Sequence, residues 1–261
     1  MKFMNVIAPL FSWLPLACLP VTGHAAEPAP PWKEMQKGYL QASRSEHDAN
    51  IKAWTEVAGW DFNEGALPAE FRVFEGEWKV EKGSLWAYRG KRESNRTIKI
   101  AECQWPAFRV EFDATLHPTP GEDPARICDV SIRFNADPAT GSFAKGYSLI
   151  TAQYGNQSTV LYRLNMPYAR TEWSPIVPGV RHHIVLEVVS PHIRFWVDGR
   201  VVLEAWERRG QNLRDLDDFM PMDPAKVIAL GTYDTMMEID NLRILVPPEK
   251  PGKPASKPPA K

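Results

Sequence analysis

The chain lacks most of the patterns that would assign a function directly. Its 31 Lys and Arg face 32 Asp and Glu, and the missing basic excess argues against nucleic acid as a partner. No segment after the first 25 residues has the ~18 consecutive apolar residues that a transmembrane helix needs. No repeat at a fixed period is visible, which argues against propellers and solenoids. Motifs of serine hydrolases, phosphate-binding loops and zinc sites are also missing.

Cysteine is scarce, with three residues at Cys18, Cys103 and Cys128. If export removes Cys18, an even pair remains in an oxidising compartment, where a disulfide is one outcome and two buried thiols are the other. A simple hairpin over 108–134 would place Cys128 opposite position 115, away from Cys103. The pattern therefore favours the free thiols and leaves the bridge open.

The first 25 residues have the pattern of an export signal. Lys2 gives a short basic start, an apolar run follows to about Val21, and Gly23-His-Ala25 supplies the small residues of a cleavage site. The sequence predicts a signal peptide over 1–25, cleavage after Ala25, and a secreted or periplasmic protein. A lipoprotein cysteine at Cys18 is the alternative.

The remaining chain divides into three parts by composition. Residues 26–58 form a Pro-rich spacer and a helical lead-in, in which the stretch from Trp32 to Val57 favours a short helical segment. Residues 59–246 form one β domain. Residues 247–261 are rich in Pro and Lys, as is typical of an extended, disordered tail.

Residues 59–246 predict an all-β, two-sheet antiparallel β-sandwich. Asp198-Gly199 joins two β-rich runs and is a strong signal for a tight hairpin, and the 24 Pro residues disfavour long helices. The predicted strands cover residues 71–74, 77–81, 84–88, 96–101, 107–116, 127–134, 145–153, 158–164, 181–189, 192–198, 200–206, 227–233 and 237–245.

Several motifs in this region resemble the concanavalin A-like and laminin-G-like jelly rolls. Trp78-Lys-Val-Glu-Lys-Gly-Ser-Leu85 resembles their opening hairpin, and Val197-Asp-Gly199 and Ile239-Asp-Asn-Leu-Arg243 follow in the usual order. The order is similar in particular to the 3-keto-disaccharide hydrolase domain family, which implies a carbohydrate substrate. Ile127-Cys-Asp129 stands where that family has Asn-Ser-Gly. Glu111-Phe-Asp113 lacks the last carboxylate of the family 16 glucanase motif.

Glu111 and Asp113 are the candidate catalytic residues. They alternate with apolar residues, so they share the outward face of one strand and lie about 7 Å apart, a separation that suits an inverting carboxylate pair. The alternative is a solvated polar face in which Arg109 balances the charge. If strand 127–134 pairs with this strand, Arg133 would share a face with Glu111 and keep it ionised, which favours a hydrogen-bond acceptor over a general acid.

Aromatic and arginine side chains are the candidate sugar ligands, because sugar rings stack on aromatic faces and guanidinium groups donate to hydroxyls. Trp173 lies in a Pro-rich loop, where a large aromatic is less expected in a core. The predicted substrate-binding residues are Arg109, Arg133, Tyr147, Tyr154, Arg163 and Trp173.

A structural Ca²⁺ is implied by related jelly rolls, with Asp240 as its ligand and Asp61 nearby. The alternative is that Asp240 pairs with an arginine or a backbone amide. His182 and His183 are adjacent in a strand, so they point to opposite faces and cannot bind one metal together.

The sequence favours an exported, carbohydrate-active protein that hydrolyses or eliminates at a glycosidic bond of a (3-keto-)disaccharide or glycoside. The alternative is a non-catalytic glycan-binding module of the cell envelope. Carbohydrate is the expected partner, without nucleic acid or a transmembrane span, and the oligomeric state stays open.

Overall fold

The computed structural model describes residues 54–88, 95–117, 129–189, 192–206 and 220–248. All of them belong to the compact unit Ser43–Lys261. The predicted signal peptide, most of the spacer and helical lead-in, and the tail after 248 lie outside the described residues.

Strands dominate the described part of the chain, which contains one short helical turn, α1 (Gln153–Asn156). The strands are β1 (Thr55–Trp60), β2 (Arg72–Glu75), β3 (Glu77–Glu81), β4 (Ser84–Tyr88), β5 (Asn95–Glu102), β6 (Ala107–His117), β7 (Val130–Ala136), β8 (Tyr147–Ala152), β9 (Ser158–Arg163), β10 (Met166–Thr171), β11 (Arg181–Val189), β12 (His192–Val197), β13 (Arg200–Trp206), β14 (Val227–Tyr233) and β15 (Met236–Val246).

The strands form two antiparallel sheets. The eight-stranded sheet has the order β13-β12-β11-β6-β15-β4-β3, and β1 also pairs with β15. The seven-stranded sheet has the order β10-β9-β8-β7-β14-β5-β2. The predicted fold class, a two-sheet antiparallel β-sandwich, is confirmed.

Alternating apolar side chains from both sheets fill the space between them. In β6, Phe108, Val110 and Phe112 are fully buried. The ring of Phe108 lies edge-on against Phe134 of the other sheet, with 5.9 Å between the centroids. The period of two that identifies these strands in the sequence is therefore the pattern that builds the core.

The predicted Asp198-Gly199 hairpin is confirmed. β12 and β13 pair around it, and both residues have positive φ, 50° at Asp198 and 69° at Gly199, as a two-residue type I′ turn requires. The Asp198 carboxylate also accepts a hydrogen bond from the backbone N–H of His183 (2.9 Å). This turn thus fixes the register of the hairpin and ties it to the neighbouring strand.

The N-terminal edge of the domain differs from the prediction. β1 begins at Thr55, so the predicted helical lead-in is wrong for residues 55–57 and the strand starts before the expected boundary at 59. The pairing of β1 with β15 explains the difference, because this partner lies far away in the sequence.

Cys103 is a free, buried thiol. Its Sγ accepts a hydrogen bond from the backbone N–H of Asn135 (3.2 Å) and lies 3.9 Å from Met222 Sδ. Burial raises the pKa of the thiol to about 12, so the group stays protonated and unreactive. Cys128 lies outside the described residues.

Candidate functional site

The predicted site residues lie on two different sheets. Glu111 and Asp113 belong to β6, which pairs with β11 and β15 in the eight-stranded sheet. Arg133 belongs to β7, which pairs with β8 and β14 in the seven-stranded sheet. The condition considered in the sequence, a pairing between these two strands, is therefore not met, and Arg133 does not share a face with Glu111.

Arg109 and Glu111 belong to an ion-pair network on the outer face of the eight-stranded sheet. Arg109 Nη2 lies 2.6 Å from Glu187 Oε2, and its Nη1 lies 3.3 Å from Glu111 Oε1. The guanidinium also lies 4.4 Å from the ring centroid of Trp54. Arg109 is 0% exposed. The sequence predicts an open polar face here, whereas this arginine is covered and already engaged by carboxylates.

Asp113 lies at the centre of a second polar cluster on the same face. Its Oδ2 accepts hydrogen bonds from Arg181 Nη2 (2.8 Å) and Asn241 Nδ2 (2.9 Å), and His183 Nδ1 lies 2.9 Å from its Oδ1. Partial burial works to raise the pKa of Asp113, but the bonds from Asn241, His183 and Arg181 outweigh it and lower the pKa. A general acid needs a raised pKa, so the geometry suits a hydrogen-bond acceptor.

The surroundings of Asp240 do not fit Ca²⁺. Its Oδ2 accepts a hydrogen bond from Arg181 Nη2 (2.8 Å), and its Oδ1 accepts one from the backbone N–H of Asn241 (2.8 Å). Within the described ranges, no three His, Cys, Asp or Glu side chains are grouped so that they could hold a metal ion. Asp240 thus has the arginine partner of the alternative interpretation.

Histidines 182 and 183 lie on opposite faces, as the sequence predicts. His182 is buried, and its Nε2 accepts a hydrogen bond from the backbone N–H of Val177 (2.9 Å), while Nδ1 lies 2.7 Å from Asp198 Oδ2. His183 points outward towards Asp113. His182 therefore anchors the loop after Trp173, and His183 belongs to the polar cluster.

On the seven-stranded sheet, Arg133 is held against the outer face by a crossing loop. Its Nη1 donates to Thr97 Oγ1 (3.0 Å) and to the carbonyl of Gly141 (3.2 Å), and its guanidinium lies 5.5 Å from the ring centroid of Phe143. Only 8% of Arg133 is exposed. Burial lowers the pKa of the guanidinium, and the negative charge of Asp129 opposes this shift.

Two predicted ligands, Tyr147 and Arg163, are covered. Tyr147 is 0% exposed and stacks on Phe134 in the core, with 4.8 Å between the ring centroids. Arg163 is its partner in the register of β8 and β9, so it lies on the same inward face, and it is also buried. Neither side chain is presented to a ligand.

Tyr154 and Trp173 are exposed at one end of the seven-stranded sheet. Their exposed fractions are 60% and 46%. Tyr154 lies in α1 with φ of 54°, a left-handed conformation that costs a non-glycine residue about 1–3 kcal/mol. The carbonyl of Trp173 accepts a hydrogen bond from Thr159 Oγ1 (3.1 Å) in the adjoining hairpin, which brings the two loops together.

Polar side chains that the sequence analysis does not single out lie close to Tyr154 in space or in sequence. The Arg170 guanidinium lies 5.7 Å from the Tyr154 ring centroid, and its Nη2 lies 2.8 Å from Glu172 Oε2. Gln153 Nε2 donates to Tyr162 Oη (2.8 Å). We define the aromatic end as Gln153, Tyr154, Tyr162, Arg170, Glu172 and Trp173.

β10, which carries Arg170, is also absent from the sequence prediction. Leu164 and Asn165 form its turn with φ of 50° and 63°, and no glycine marks that turn. The Asn at the second position was the available signal, since Asn tolerates the left-handed region better than most residues.

The comparisons with known proteins show the fold and no family. Neither a scan against protein-family models nor a search of curated proteins finds a match, so the resemblance to the 3-keto-disaccharide hydrolase family is not confirmed.

Solved structures with the same fold are found at low sequence identity. The carbohydrate-binding module CBM66 from Bacillus subtilis is 14% identical with a TM-score of 0.50, covering 67% of this chain and 95% of its own. A Bacillus subtilis protein with a galectin-like fold is 13% identical with a TM-score of 0.53, covering 74% and 99%. SCLam, a non-specific endo-β-1,3(4)-glucanase of family GH16, is 15% identical with a TM-score of 0.52, covering 75% and 92%. The concanavalin A-like jelly-roll fold predicted from the sequence is confirmed.

Proposed function

We propose that the chain is a carbohydrate-binding domain that holds its ligand at the aromatic end. The observation that carries this proposal is the exposure of Tyr154 and Trp173, together with the Arg170 guanidinium 5.7 Å from the Tyr154 ring centroid. Exposed aromatic rings stack on the C–H faces of sugars, and arginine donates hydrogen bonds to hydroxyl groups. The carbohydrate-binding module and the glucanase among the structural neighbours support the same ligand class.

The electrostatics of the outer faces favour binding over bond cleavage. Glu111 is paired with Arg109, and Asp113 is held ionised by Arg181, His183 and Asn241. Glycosidic hydrolysis needs one carboxyl group that keeps its proton near neutral pH, and Asp113 has the opposite shift. The aromatic end also belongs to the other sheet, away from this carboxylate pair.

Hydrolysis or elimination at a glycosidic bond of a (3-keto-)disaccharide is the second candidate. It is favoured by the shared outward face of Glu111 and Asp113, whose side chains are 18% and 19% exposed. Their separation along the strand, about 7 Å, suits a pair that works through a water molecule.

We further propose that the protein acts outside the cytoplasm. The basic start, apolar run and small residues before Ala26 support cleavage of a signal peptide. Within the part of the chain that the structure describes, no helix has the length and apolar character to cross a membrane.

Binding to a panel of gluco-, xylo- and keto-sugar oligosaccharides tests the proposal. We expect Trp173→Ala and Tyr154→Ala each to weaken binding about tenfold, equivalent to ~1.4 kcal/mol, as measured by isothermal titration calorimetry. Val73→Ala is the matched control, because Val73 is an exposed apolar residue on the opposite edge strand of the same sheet.

Two outcomes of the same assay would contradict the proposal. Unchanged affinity in both aromatic variants would remove the aromatic end as the site. If the wild type turns over any ligand and Glu111→Gln abolishes this turnover, the second candidate would replace the binding proposal.

A further inference from the structure

A cleft lies towards the β2 edge of the seven-stranded sheet, opposite the edge that carries the aromatic end. It is lined by residues of β5 and of β1, which belongs to the eight-stranded sheet. Its volume is about 380 Å³, which lies within the ~300–1,000 Å³ of small-molecule sites. The aromatic and polar side chains that line it are those of two tryptophans and four polar residues: Trp60, Trp105, Glu70, Lys99, Glu102 and Gln104. We call this feature the tryptophan cleft.

The wall formed by Trp60 is held in place by its neighbours. Trp60 Nε1 donates to Glu70 Oε1 (2.8 Å), and the Trp60 indole packs edge-on against Phe71, with 4.9 Å between the ring centroids. Because a fixed ring loses little conformational freedom on binding, this arrangement is preorganised for stacking.

The polar wall is also ordered. Lys99 Nζ lies 2.6 Å from Glu102 Oε1, and the Glu102 side chain is 50% exposed. Glu70 uses one carboxylate oxygen for Trp60, and Gln104 supplies both a donor and an acceptor. The two carboxylates and one ammonium leave a net charge of −1 in the cleft, which disfavours acidic ligands.

We propose that the tryptophan cleft is a second carbohydrate site, which takes a ring of a neutral sugar between Trp60 and Trp105. The indoles stack on the apolar face of the ring, and Glu70, Glu102 and Gln104 accept hydrogen bonds from its hydroxyl groups. This second site rests on the ligand class of the proposed function and uses none of the residues of the aromatic end.

The position of the cleft gives the two sites a joint role. β10 at the aromatic end and β5 at the cleft are separated by β9, β8, β7 and β14, so five inter-strand spacings place them roughly 24 Å apart. A short oligosaccharide would occupy one site at a time. A polysaccharide would occupy both, and the second contact would then form at a raised effective concentration.

The test titrates the mature protein with neutral trisaccharides of β-1,3- and β-1,4-linked glucose, which are too short to reach both sites, and follows heat and tryptophan fluorescence. We expect two sites per chain for the wild type and one site for Trp105→Ala. Trp105→Phe should restore the second site, because the aromatic face is kept. Affinity for the polymeric glucan should fall at least tenfold in Trp105→Ala, and Val73→Ala should match the wild type.

The variants separate failure of the cleft from failure of the aromatic end. A single site that Trp173→Ala removes and Trp105→Ala leaves intact would overturn the second site and keep the proposed function. A single site with the opposite response would keep the cleft and overturn the aromatic end. No binding to any trisaccharide would overturn both.

Gln104→Ala is a second variant of the cleft, and it tests the site even if Trp105→Ala fails to fold. Gln104 is exposed, so its removal should leave the circular dichroism spectrum unchanged. Selective weakening of one of the two sites in this variant supports the proposal, and unaltered binding at both sites counts against it.

Discussion

At the scale of single residues, burial decides what each charged group can do. Arg109 has the sequence pattern of an exposed side chain, since it alternates with Phe108 and Val110, yet it is fully buried, and Glu187, 78 positions later, neutralises its charge. Local alternation identifies the face on which a side chain lies. It does not predict whether a distant part of the chain covers that face.

Asp129 carries a prediction at this scale. Burial raises the pKa of its carboxyl group from 3.8 to about 7, against the opposing hydrogen bond from the backbone N–H of Tyr233 and the charges of Arg133 and Arg96. Because the folded protein binds this proton more tightly than the unfolded chain does, Asp129 makes the free energy of unfolding fall as pH rises from about 4 to 7.

Asp129→Asn should remove that slope, because the amide stays neutral and its oxygen can still accept from Tyr233. Urea unfolding at pH 4.5 and pH 7.5 measures this pH dependence of the free energy of unfolding. We expect the variant to gain stability relative to the wild type at pH 7.5. Asp113→Asn is the comparison of opposite sign, and it is measured between pH 3 and pH 4.5, since the lowered pKa of Asp113 adds stability that is present above about pH 4 and is lost as pH falls below it. A wild-type slope that survives in Asp129→Asn would show that another group titrates.

At the scale of strands, the sequence predicts element type well and pairing poorly. The strands from β11 to β13 are predicted almost to the residue, because Asp198-Gly199 defines their turn. β1 and β10 were missed because Thr55-Glu56 and Pro167 interrupt the apolar pattern, and their stability comes from partner strands. For the same reason the sequence does not show that Arg133 and Glu111 lie in different sheets, since sheet membership depends on long-range pairing.

Gly231 in β14 provides a prediction at this scale. A Cβ added there would lie 2.7 Å from the Arg96 carbonyl oxygen and 2.8 Å from Ser131 Oγ, so the strands beside β14 would have to move apart. We expect Gly231→Ala to lower the free energy of unfolding by about 1–3 kcal/mol, as measured by chemical denaturation.

Gly179→Ala is the comparison for Gly231→Ala. An added Cβ there meets nothing within 4 Å, although φ is 72°, so its cost of about 1 kcal/mol would come from the backbone alone. Equal effects of the two variants would contradict the packing argument.

At the scale of the whole molecule, the fold and the ligand class are separate conclusions. Solved structures that share this jelly roll include a binding module and a glucanase, and a shared fold does not transfer a function. The side chains that carry the binding proposal, Tyr154 and Trp173, lie in the short turn α1 and in a loop, where sequence patterns are weakest. The Pro-rich context of Trp173 indicates an exposed ring, whereas nothing in the sequence around Tyr154 distinguishes it from the buried Tyr147.

Export is the prediction that belongs to the entire chain. Expression with the native N-terminus in a bacterial host should give a mature protein that begins at Ala26 in the periplasm or medium. N-terminal sequencing and intact mass measurement check this. A retained leader, or a lipid attached to Cys18, would contradict cleavage after Ala25.

The pairing of β1 with β15 places Thr55 directly beside Val246. The first and last strands of the described sandwich therefore begin and end at neighbouring points, as in domains that tolerate insertion and circular permutation. A host protein could accept residues 54–248 within a surface loop on short connectors, without having the ends of that loop forced apart. Modular architectures that carry this unit in the middle of a longer chain are thus geometrically accessible to it.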